Sequence, residues 1–316
     1  MDRRSLLAAG AATAALAATG TTAEAEAATP SDAELARSLG FRSAYADVNG
    51  TRLHYVIGGK GSPLMLLGGW PQTWWQFRKI MPALAERYRV IVADLRGMNL
   101  SGKPAGGYDK KTMARDIYEL VKKLGYTQVD IAGHDIGAMV GHAFAANYPH
   151  AIRKLALIDV PHPDEGLYEL TLLPQPTQFH LWWFAFNQVQ LLPEQLLAGR
   201  FRLLVDHLCG LLLQNQAAIT DRDRAIYARA YASPDAIRAS NGWYQTFGQD
   251  IVDGKTYPRL TLPVLGLASE PGFDYLAGPL RRQAVDVQLE KISGAGHYVA
   301  EEQPEAVVTH LRRFFG

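Results

Sequence analysis

The segment VDIAGHDIGAMVG, residues 129–141, decides the fold of this chain. The run VDIAG predicts a buried strand, and the stretch GAMVGHAFAANYP that begins at Gly137 predicts a helix. The sharp turn between them falls on GHDIG, where Gly133 and Gly137 let the two backbones pass closely. This is the pattern of a nucleophile elbow, with Asp135 at the position that usually carries serine.

A carboxylate at this position indicates a particular chemistry. Because it is already an anion, it can attack carbon by displacement and form an alkyl ester on the enzyme. Attack on an acyl group would give a mixed anhydride, which is a poor intermediate for routine ester hydrolysis. Asp135 therefore predicts a substrate with an sp³ carbon that bears a strained oxygen or a halide. The absence of a G-x-S-x-G motif disfavours a serine-type esterase.

The flanking sequence alternates between strands and helices. Two strands joined by Asn49-Gly50, a pair suited to a type I′ turn, come first. Six buried-strand runs follow: PLMLLGG, YRVIVADL, VDIAGHD, KLALIDV, PVLGLAS and VQLEKIS. Helices are predicted over 74–87, 111–124, 136–147 and 305–315. Together these elements imply a mostly parallel sheet covered by helices on both faces.

About a hundred residues between Asp159 and Pro263 interrupt this alternation. They show helical and aromatic patterns, for example FHLWWFAFNQVQLLPEQLLAGR, but no convincing strand. An insertion between two strands would lie over the carboxyl ends of the sheet, where open α/β sheets bind ligands. We therefore predict a helical cap over 161–255 on a core formed by 41–160 and 256–316.

The candidate base is His297, in the Gly-rich loop SGAGHYVAEEQPE before the C-terminal helix. Such a base needs a carboxylate to fix its tautomer and to stabilise its charged form. Asp159, at the end of the strand KLALIDV, is the favoured partner, because it lies at a strand end that points into the same crevice. Asp274, in EPGFD, is the alternative acid.

The loop LLGGWPQTWW supplies the opposite wall of the predicted site. Its two glycines allow backbone N–H groups to face the pocket. We expect the N–H groups of Trp70 and Ile136 to hold the oxygen of Asp135 as charge develops. Trp70-Pro71 is a candidate for a cis peptide bond, which tight turns at functional loops favour.

These stretches resemble the α/β-hydrolase superfamily and, within it, the epoxide hydrolases with an aspartate nucleophile. The likeness rests on GHDIG, GGWPQTWWQFRKIMP, VIVADLRGMNLSGKP, LALIDVPHP, YARAYASPDAIRASNGWYQTF and GAGHYVAEEQPE. It implies an α/β-hydrolase fold, with a mostly parallel eight-stranded sheet flanked by helices and a helical cap after strand 6. It also implies that Asp135 opens an epoxide and that His297 activates water. The 24-residue step from Asp135 to Asp159 matches a branch whose acid follows the sixth strand.

In the family that this chain resembles, cap residues hydrogen-bond the epoxide oxygen. Tyr244 in NGWYQTF matches one of these positions, and Trp183 in LWWFAF stands at the other, where the family has Tyr or His. An indole N–H donates a hydrogen bond but cannot give up its proton. Tyr244, or a water, would therefore be the acid. Trp182 is a further candidate for substrate contact, with packing inside the cap as its alternative.

Gly68 is a second departure, because the family normally has His there in an H-G-x-P loop. Loss of the ring would remove a hydrogen-bonding anchor and open space. Together with the aromatic cap, this favours a bulky hydrophobic epoxide of the polycyclic aromatic type. The pattern resembles epoxide hydrolases of bacterial aromatic-polyketide biosynthesis.

Two other functions stay open. Haloalkane dehalogenases typically carry Trp directly after the nucleophile, and fluoroacetate-type enzymes carry Arg beside the elbow. Here Ile136 and Met139 stand at the elbow, although Trp183 could serve a halide. A non-catalytic ligand-binding homologue is the other alternative, against which the complete set of Asp135, His297 and Asp159 argues.

Composition limits the partners. The chain has 316 residues and a net charge of +1, with Lys and Arg spread along it, which gives no electrostatic footprint for nucleic acid. Cys209 is the only cysteine, in an apolar run, so an intramolecular disulfide is excluded. Neither a metal-ligand cluster nor a motif for an organic cofactor is present, so no cofactor is expected. A monomer or a homodimer is expected.

The N-terminal residues 1–27 have the features of an export signal. Arg3-Arg4 precede a weakly hydrophobic, Ala-rich run, and AEAEA at 23–27 offers A-x-A cleavage sites. This resembles a twin-arginine signal, which predicts a periplasmic or extracellular protein, or a cytoplasmic one if the leader is retained. The run is too short and too rich in Ala and Gly to be a stable membrane anchor.

Overall fold

The computed structural model describes residues 29–170 and 180–316. Its centre is an eight-stranded sheet with the strand order β1-β2-β4-β3-β5-β6-β7-β8. The strands are β1 (Arg42–Val48), β2 (Thr51–Gly59), β3 (Ser62–Leu67), β4 (Tyr88–Ala93), β5 (Val129–His134), β6 (Ile152–Ile158), β7 (Val264–Ser269) and β8 (Val287–Ile292). β2 is antiparallel to both of its neighbours, and every other pairing is parallel. The predicted mostly parallel sheet is confirmed.

The hairpin between β1 and β2 turns on Asn49 and Gly50, with φ angles of 41° and 73°. Two successive positive φ angles are what a type I′ turn requires. In the centre of the sheet, every residue of β5 and β7 is buried. These strands are mostly apolar because helices cover both faces of the sheet, and the polar side chains that they do carry, Asp130, His134 and Ser269, are buried with them.

The helices are α1 (Asp32–Ser38), α2 (Met81–Ala85), α3 (Lys110–Lys123), α4 (Ile136–Asn147), α5 (Trp182–Gln188), α6 (Leu192–Leu197), α7 (Phe201–Leu212), α8 (Asp221–Ala230), α9 (Pro234–Gln245), α10 (Phe247–Gly254), α11 (Phe273–Gln283), α12 (Val299–Glu302) and α13 (Pro304–Phe315). The predicted helices over 111–124, 136–147 and 305–315 correspond to α3, α4 and α13. The one predicted over 74–87 is instead a 3₁₀ turn, Trp74–Phe77, followed by the short α2. α1 was not predicted; Ser31 and Glu34 cap its first turn.

Helices α5–α10 form the insertion between β6 and β7, and its described part contains no strand. They lie over the carboxyl ends of the parallel strands, as a cap. Within the two described ranges, none of the helices is long and apolar enough to cross a membrane. The predicted export signal lies outside those ranges.

A buried ionic network fastens the cap to the core. The Arg78 guanidinium donates to Asp223 in α8 at 2.7 Å and to Glu301 in α12 at 2.6 Å. Trp75 donates its indole N–H to the same Asp223 at 2.8 Å. Because all of these groups are buried, loss of one partner leaves an uncompensated charge, which destabilises a protein strongly.

Cys209 is a buried, unpaired cysteine of α7. Burial raises the pKa of its thiol to about 12, so the thiolate is scarce at neutral pH. The side chain therefore serves as cap packing.

Candidate active site

The turn that carries Asp135 is backbone-strained and depends on its glycines. Asp135 has φ 53° and ψ −124°, directly between β5 and α4. A Cβ at Gly133 would lie 2.3 Å from the carbonyl oxygen of Gly137, and one at Gly137 would lie 2.1 Å from that of Leu67. No side chain fits at either position. The predicted elbow is therefore present, and it presents Asp135 at the carboxyl edge of the sheet.

The Asp135 carboxylate is held by the β3 loop. Its Oδ1 accepts a hydrogen bond of 2.9 Å from the backbone N–H of Trp70. The Trp70-Pro71 bond is cis. Gly69 is needed for this approach, since a Cβ there would lie 2.5 Å from Oδ1. Ile136 was expected to donate as well. Its N–H makes no hydrogen bond to Asp135 in the described structure, and its side chain is buried away from the pocket at the start of α4.

His297 lies between two carboxylates. Its Nδ1 is 2.7 Å from Oδ2 of Asp159, and its Nε2 is 3.7 Å from Oδ2 of Asp135. Asp159 Oδ1 is held in turn by the N–H and the hydroxyl of Ser269, at 2.9 Å and 2.7 Å. The alternative acid, Asp274, is exposed on α11 and is not a partner of His297. Ser269 was missed at the sequence level, although it ends β7 at the same edge of the sheet.

These contacts determine the charge of the pair. Burial disfavours the imidazolium form of His297, but the hydrogen bond that its Nδ1–H donates to Asp159 and the charges of Asp159 and Asp135 outweigh this effect and raise the pKa of His297. Burial likewise disfavours the carboxylate of Asp159, yet its hydrogen bonds with His297 and Ser269 keep its pKa below the usual value. With Asp159 as the anion, His297 carries its proton on Nδ1, so Nε2 faces Asp135 as the basic nitrogen.

A cavity of about 490 Å³ opens above these three side chains. Its described wall comprises Trp70, Pro71, Asp135, Met139, Asp159, Val160, Leu170, Leu181, Trp183, Phe184, Leu208, Leu211, Leu212, Leu213, Gln214, Tyr244, Ser269, Pro271, Gly272, Tyr275, Gly296 and His297. Apart from the two aspartates and His297, none of these ionises near neutral pH. A large apolar cavity with a few convergent polar groups is the usual form of a small-molecule site.

Two cap residues bring hydrogen-bond donors into this cavity. Tyr244 of α9 is buried, and its ring lies edge-on to Trp70, with centroids 5.4 Å apart. Burial and the charge of Asp135 raise the pKa of Tyr244 well above 10, whereas a hydrogen bond from the Trp183 side chain acts in the opposite direction. Tyr244 is therefore a protonated hydroxyl at neutral pH, paired with an indole N–H.

For Trp182 two roles were open, substrate contact and packing inside the cap. It is not part of the described cavity wall; it packs edge-on against Trp183, Phe186 and His207 inside the cap. Neighbours on a helix point about 100° apart, so α5 directs Trp183 into the cavity and Trp182 away from it. Packing inside the cap is the reading that the structure supports.

The expectation that Gly68 opens space is wrong. A Cβ at Gly68 would lie 2.0 Å from the Gln76 amide, because Gln76 fills the volume of the missing ring. Oε1 of Gln76 lies 2.8 Å from Nδ1 of His134, whose Nε2 is 2.9 Å from the backbone carbonyl of His297. Burial lowers the pKa of His134 to about 4, so the ring is neutral and its single N–H donates to one of these two oxygens. Gln76 thus supplies a substitute anchor, which no local pattern in the sequence revealed.

Residues 62–205 match the family model of the alpha/beta hydrolase fold. The chain is 33% identical to the soluble epoxide hydrolase of Corynebacterium sp. strain C12 over 281 residues, which cover 85% of this chain and 96% of that protein. The chain belongs to the α/β-hydrolase superfamily, and it is a hydrolase.

Other relatives of this hydrolase point to two reactions. The solved structure of the epoxide hydrolase CorEH superposes with a TM-score of 0.77 at 32% identity, over 87% of this chain and 98% of that one. A fluoroacetate dehalogenase from Burkholderia sp. is 32% identical over 288 residues, which cover 87% of this chain and 94% of that protein. Among the residues that the structure describes, no group of three or more His, Cys, Asp or Glu side chains could hold a metal ion.

Proposed function

We propose that this hydrolase opens an apolar epoxide to a vicinal diol through a covalent ester on Asp135. The observation that carries the proposal is that the Asp135 carboxylate lies on one side of the cavity and the neutral hydroxyl of Tyr244, supported by the indole N–H of Trp183, lies on the cap side. Such an arrangement suits a neutral substrate whose oxygen accepts hydrogen bonds while its carbon is attacked.

In the first step Asp135 Oδ2 attacks one epoxide carbon, and the C–O bond of the ring breaks with its electron pair passing to oxygen. Tyr244 gives that oxygen its proton, and Trp183 supports the hydroxyl through its indole N–H. Oδ1 becomes the ester carbonyl and stays beside the N–H of Trp70, 2.9 Å away. Tyr244 regains a proton from solvent before the next turnover.

In the second step His297 Nε2 takes a proton from a water, and that water attacks the ester carbonyl carbon of Asp135. The Trp70 N–H stabilises the negative charge on Oδ1. The tetrahedral species then expels the substrate alkoxide, which takes the proton from His297, so that the diol leaves. The Asp135 carboxylic acid that remains releases its proton to solvent, which restores the carboxylate and balances the proton that Tyr244 takes up. Asp159 stabilises the imidazolium throughout, through its contact of 2.7 Å.

The charge of Asp135 couples the two steps. In the free enzyme it contributes to the raised pKa of His297, which favours imidazolium. Ester formation removes that charge, so the pKa of His297 falls and the ring becomes a neutral base when water must be activated. The rate of ester hydrolysis should therefore rise with pH through the lowered pKa of the intermediate.

For the substrate we propose a bulky aryl epoxide of the polycyclic type. The support is the aromatic wall formed by Trp70, Trp183, Phe184, Tyr244 and Tyr275, together with a volume of about 490 Å³. The volume beside Gly68 adds nothing to this cavity, since Gln76 occupies it.

Dehalogenation is the second candidate, favoured by the relative from Burkholderia and by the Tyr244 hydroxyl on the cap, which could donate to a halide. A halocarboxylate, however, would enter a wall with two carboxylates and no described arginine or lysine. Residues 171–179, TLLPQPTQF, contain no cation either. We therefore rank uncharged epoxides above haloacids.

A product assay tests the proposal. The purified protein is incubated with an aryl-fused epoxide, a small aliphatic epoxide, fluoroacetate and a chloroalkane, with Asp135→Asn as the inactive control. Diol from the aryl epoxide at a kcat/KM at least about tenfold above that of the aliphatic one is expected. Preference for the aliphatic epoxide would refute the substrate class, and halide release without diol would refute epoxide hydrolysis.

A further inference from the structure

The backbone of the candidate base is attached to the cap. The N–H of His297 donates a hydrogen bond of 3.0 Å to the carbonyl of Leu212, the last residue of α7. The preceding residue is glycine for a steric reason, since a Cβ at Gly296 would lie 2.0 Å from that same carbonyl oxygen. The loop that carries the base therefore packs directly on the end of a cap helix.

Glu302 ties together the two sides of this contact. Its Oε2 accepts from the N–H of Gly296 at 2.8 Å, and its Oε1 accepts from the N–H groups of Gln214 and Asn215 at 2.7 Å and 2.8 Å. The side chain is buried, with 7% of its surface exposed. One carboxylate thus joins the residue before the base to the cap segment that follows α7.

That cap segment also forms part of the cavity. Leu211, Leu212, Leu213 and Gln214 all line it. A substrate that rests on this wall therefore contacts the same piece of chain that Glu302 fastens to the His297 loop. On its other side the His297 carbonyl is held by the His134 ring, which does not belong to the cap.

We propose that Glu302 is a positioning residue that holds the His297 loop against the cap. The position of the cap segment 211–215 then determines the position of the His297 ring. The inference rests on the proposed two-step reaction, because only the second step uses His297. Removal of this contact should slow hydrolysis of the Asp135 ester and leave its formation nearly unchanged.

Glu302→Gln is the appropriate change. The amide keeps the size of the carboxylate, but its NH2 group cannot accept, so at least one of the three backbone N–H groups loses its partner. Since a misplacement of about 1 Å can lower a rate by about 10²-fold, we expect ester hydrolysis to slow about 10–100-fold. Ester formation should stay within about threefold of the unmodified enzyme, as an order-of-magnitude margin.

Loss of the carboxylate has a second, electrostatic effect. The charge of Glu302 contributes to the raised pKa of His297, behind the larger effects of burial, Asp159 and Asp135. Asp159, Asp135 and the neutral His134 stay in place in the variant. In the pH profile of ester hydrolysis, the rise in rate on the acid side should therefore occur at lower pH in Glu302→Gln than in the unmodified enzyme. Simple loosening of the fold would not produce this shift.

The experiment is a quenched single turnover of an aryl epoxide, followed by intact-protein mass spectrometry. Glu305→Gln, the same change at an exposed position in the first turn of α13, is the matched control. Persistence of the ester in Glu302→Gln, with normal formation and with the control like the unmodified enzyme, supports the proposal. Ester hydrolysis within about twofold of the unmodified rate, or equal slowing of both steps, overturns it.

Two further measurements separate possible failures. The NMR signal of the His297 backbone amide reports its hydrogen bond to Leu212 without any turnover, and it should move in Glu302→Gln but not in Glu305→Gln; an unchanged signal overturns the proposal even if activity is absent. His297→Gln is included to accumulate the ester. If that variant accumulates no ester with any epoxide, the proposed reaction fails, and the amide signal alone then decides the role of Glu302.

Discussion

Asp159→Asn tests the assignment of the acid most sharply. In the native site both oxygens of Asp159 accept: Oδ2 from His297 at 2.7 Å, and Oδ1 from the N–H and hydroxyl of Ser269. In Asp159→Asn the amide oxygen must take the position of Oδ1, because both Ser269 groups donate to an atom at that position. The NH2 group of the asparagine must then face His297 Nδ1. That nitrogen becomes an acceptor, the ring proton moves to Nε2, and Nε2 can no longer accept a proton from water.

The magnitude follows from two contributions. A hydrogen bond to a charged group contributes about 1.5–3 kcal/mol, which corresponds to roughly 10–150-fold in rate. The wrong tautomer adds to this loss, and the same change in the serine-protease triad lowers kcat by about 10⁴-fold. We therefore expect ester hydrolysis to slow by about 10²–10⁴-fold. Ester formation should change by no more than about threefold, because Asp135 needs no base to attack.

The assay follows ester formation and decay on Asp135 by rapid quench and intact-protein mass. Asp274→Asn is the control, because Asp274 is the other carboxylate near this edge of the sheet and is exposed on α11. It should behave as the unmodified enzyme. Decay of the ester in Asp159→Asn within about threefold of normal, or an equal loss in the Asp274 variant, would refute the assignment.

Four further changes probe the cap residues above Asp135, the electrostatics of the site and the attachment of the cap. Tyr244→Phe should slow ester formation about 10²-fold because the acid is lost, and Trp183→Phe should slow it about tenfold because the support of the Tyr244 hydroxyl is lost. Rapid quench measures both rates, and slowing of ester decay in place of ester formation would contradict the proposed roles. Asp135→Asn should lower the pKa of His297 in an NMR titration, because a negative charge 3.7 Å from Nε2 is lost, and an unchanged pKa would count against the coupling. Glu301→Gln should lower the free energy of unfolding in urea by roughly 1.5–3 kcal/mol, and unchanged stability would contradict the ionic network.

The features that were predictable from sequence are those dictated by local sterics. GHDIG requires two glycines because the backbones of the strand and the helix approach so closely that a Cβ would clash. This requirement can be recognised in a motif of five residues. The strands and helices α3, α4 and α13 follow from apolar runs and helical periodicity in the same way. The hairpin at Asn49-Gly50 follows from two residues that tolerate positive φ.

Features that depend on long-range contact were predictable only in part: Asp159 was the favoured acid, with Asp274 as the alternative. Asp159 and Asp274 both follow strands that end at the same edge, and only the three-dimensional structure places Asp159 at 2.7 Å from His297. Gln76 fills the volume beside Gly68 although nothing in the motif requires it. Glu302 was read only as part of a signature stretch, because its partners, Gln214 and Asn215, lie almost ninety residues away.

The choice between Trp182 and Trp183 shows an intermediate case. Helical geometry alone says that the two side chains diverge by about 100°, so they have different surroundings. It does not say which one points into the cavity, since that depends on how α5 lies over the sheet. The structure places Trp183 in the wall and packs Trp182 against His207.

The most direct test of the central claim is the intact mass of His297→Gln after incubation with an aryl epoxide. The variant keeps Asp135 and the two cap donors but lacks the base, so the ester should form and persist. The account predicts a mass gain equal to the whole epoxide, localised to the peptide that contains Asp135 and absent when Asp135→Asn is added. No gain with any epoxide, or a gain that survives the Asp135→Asn change, would contradict it.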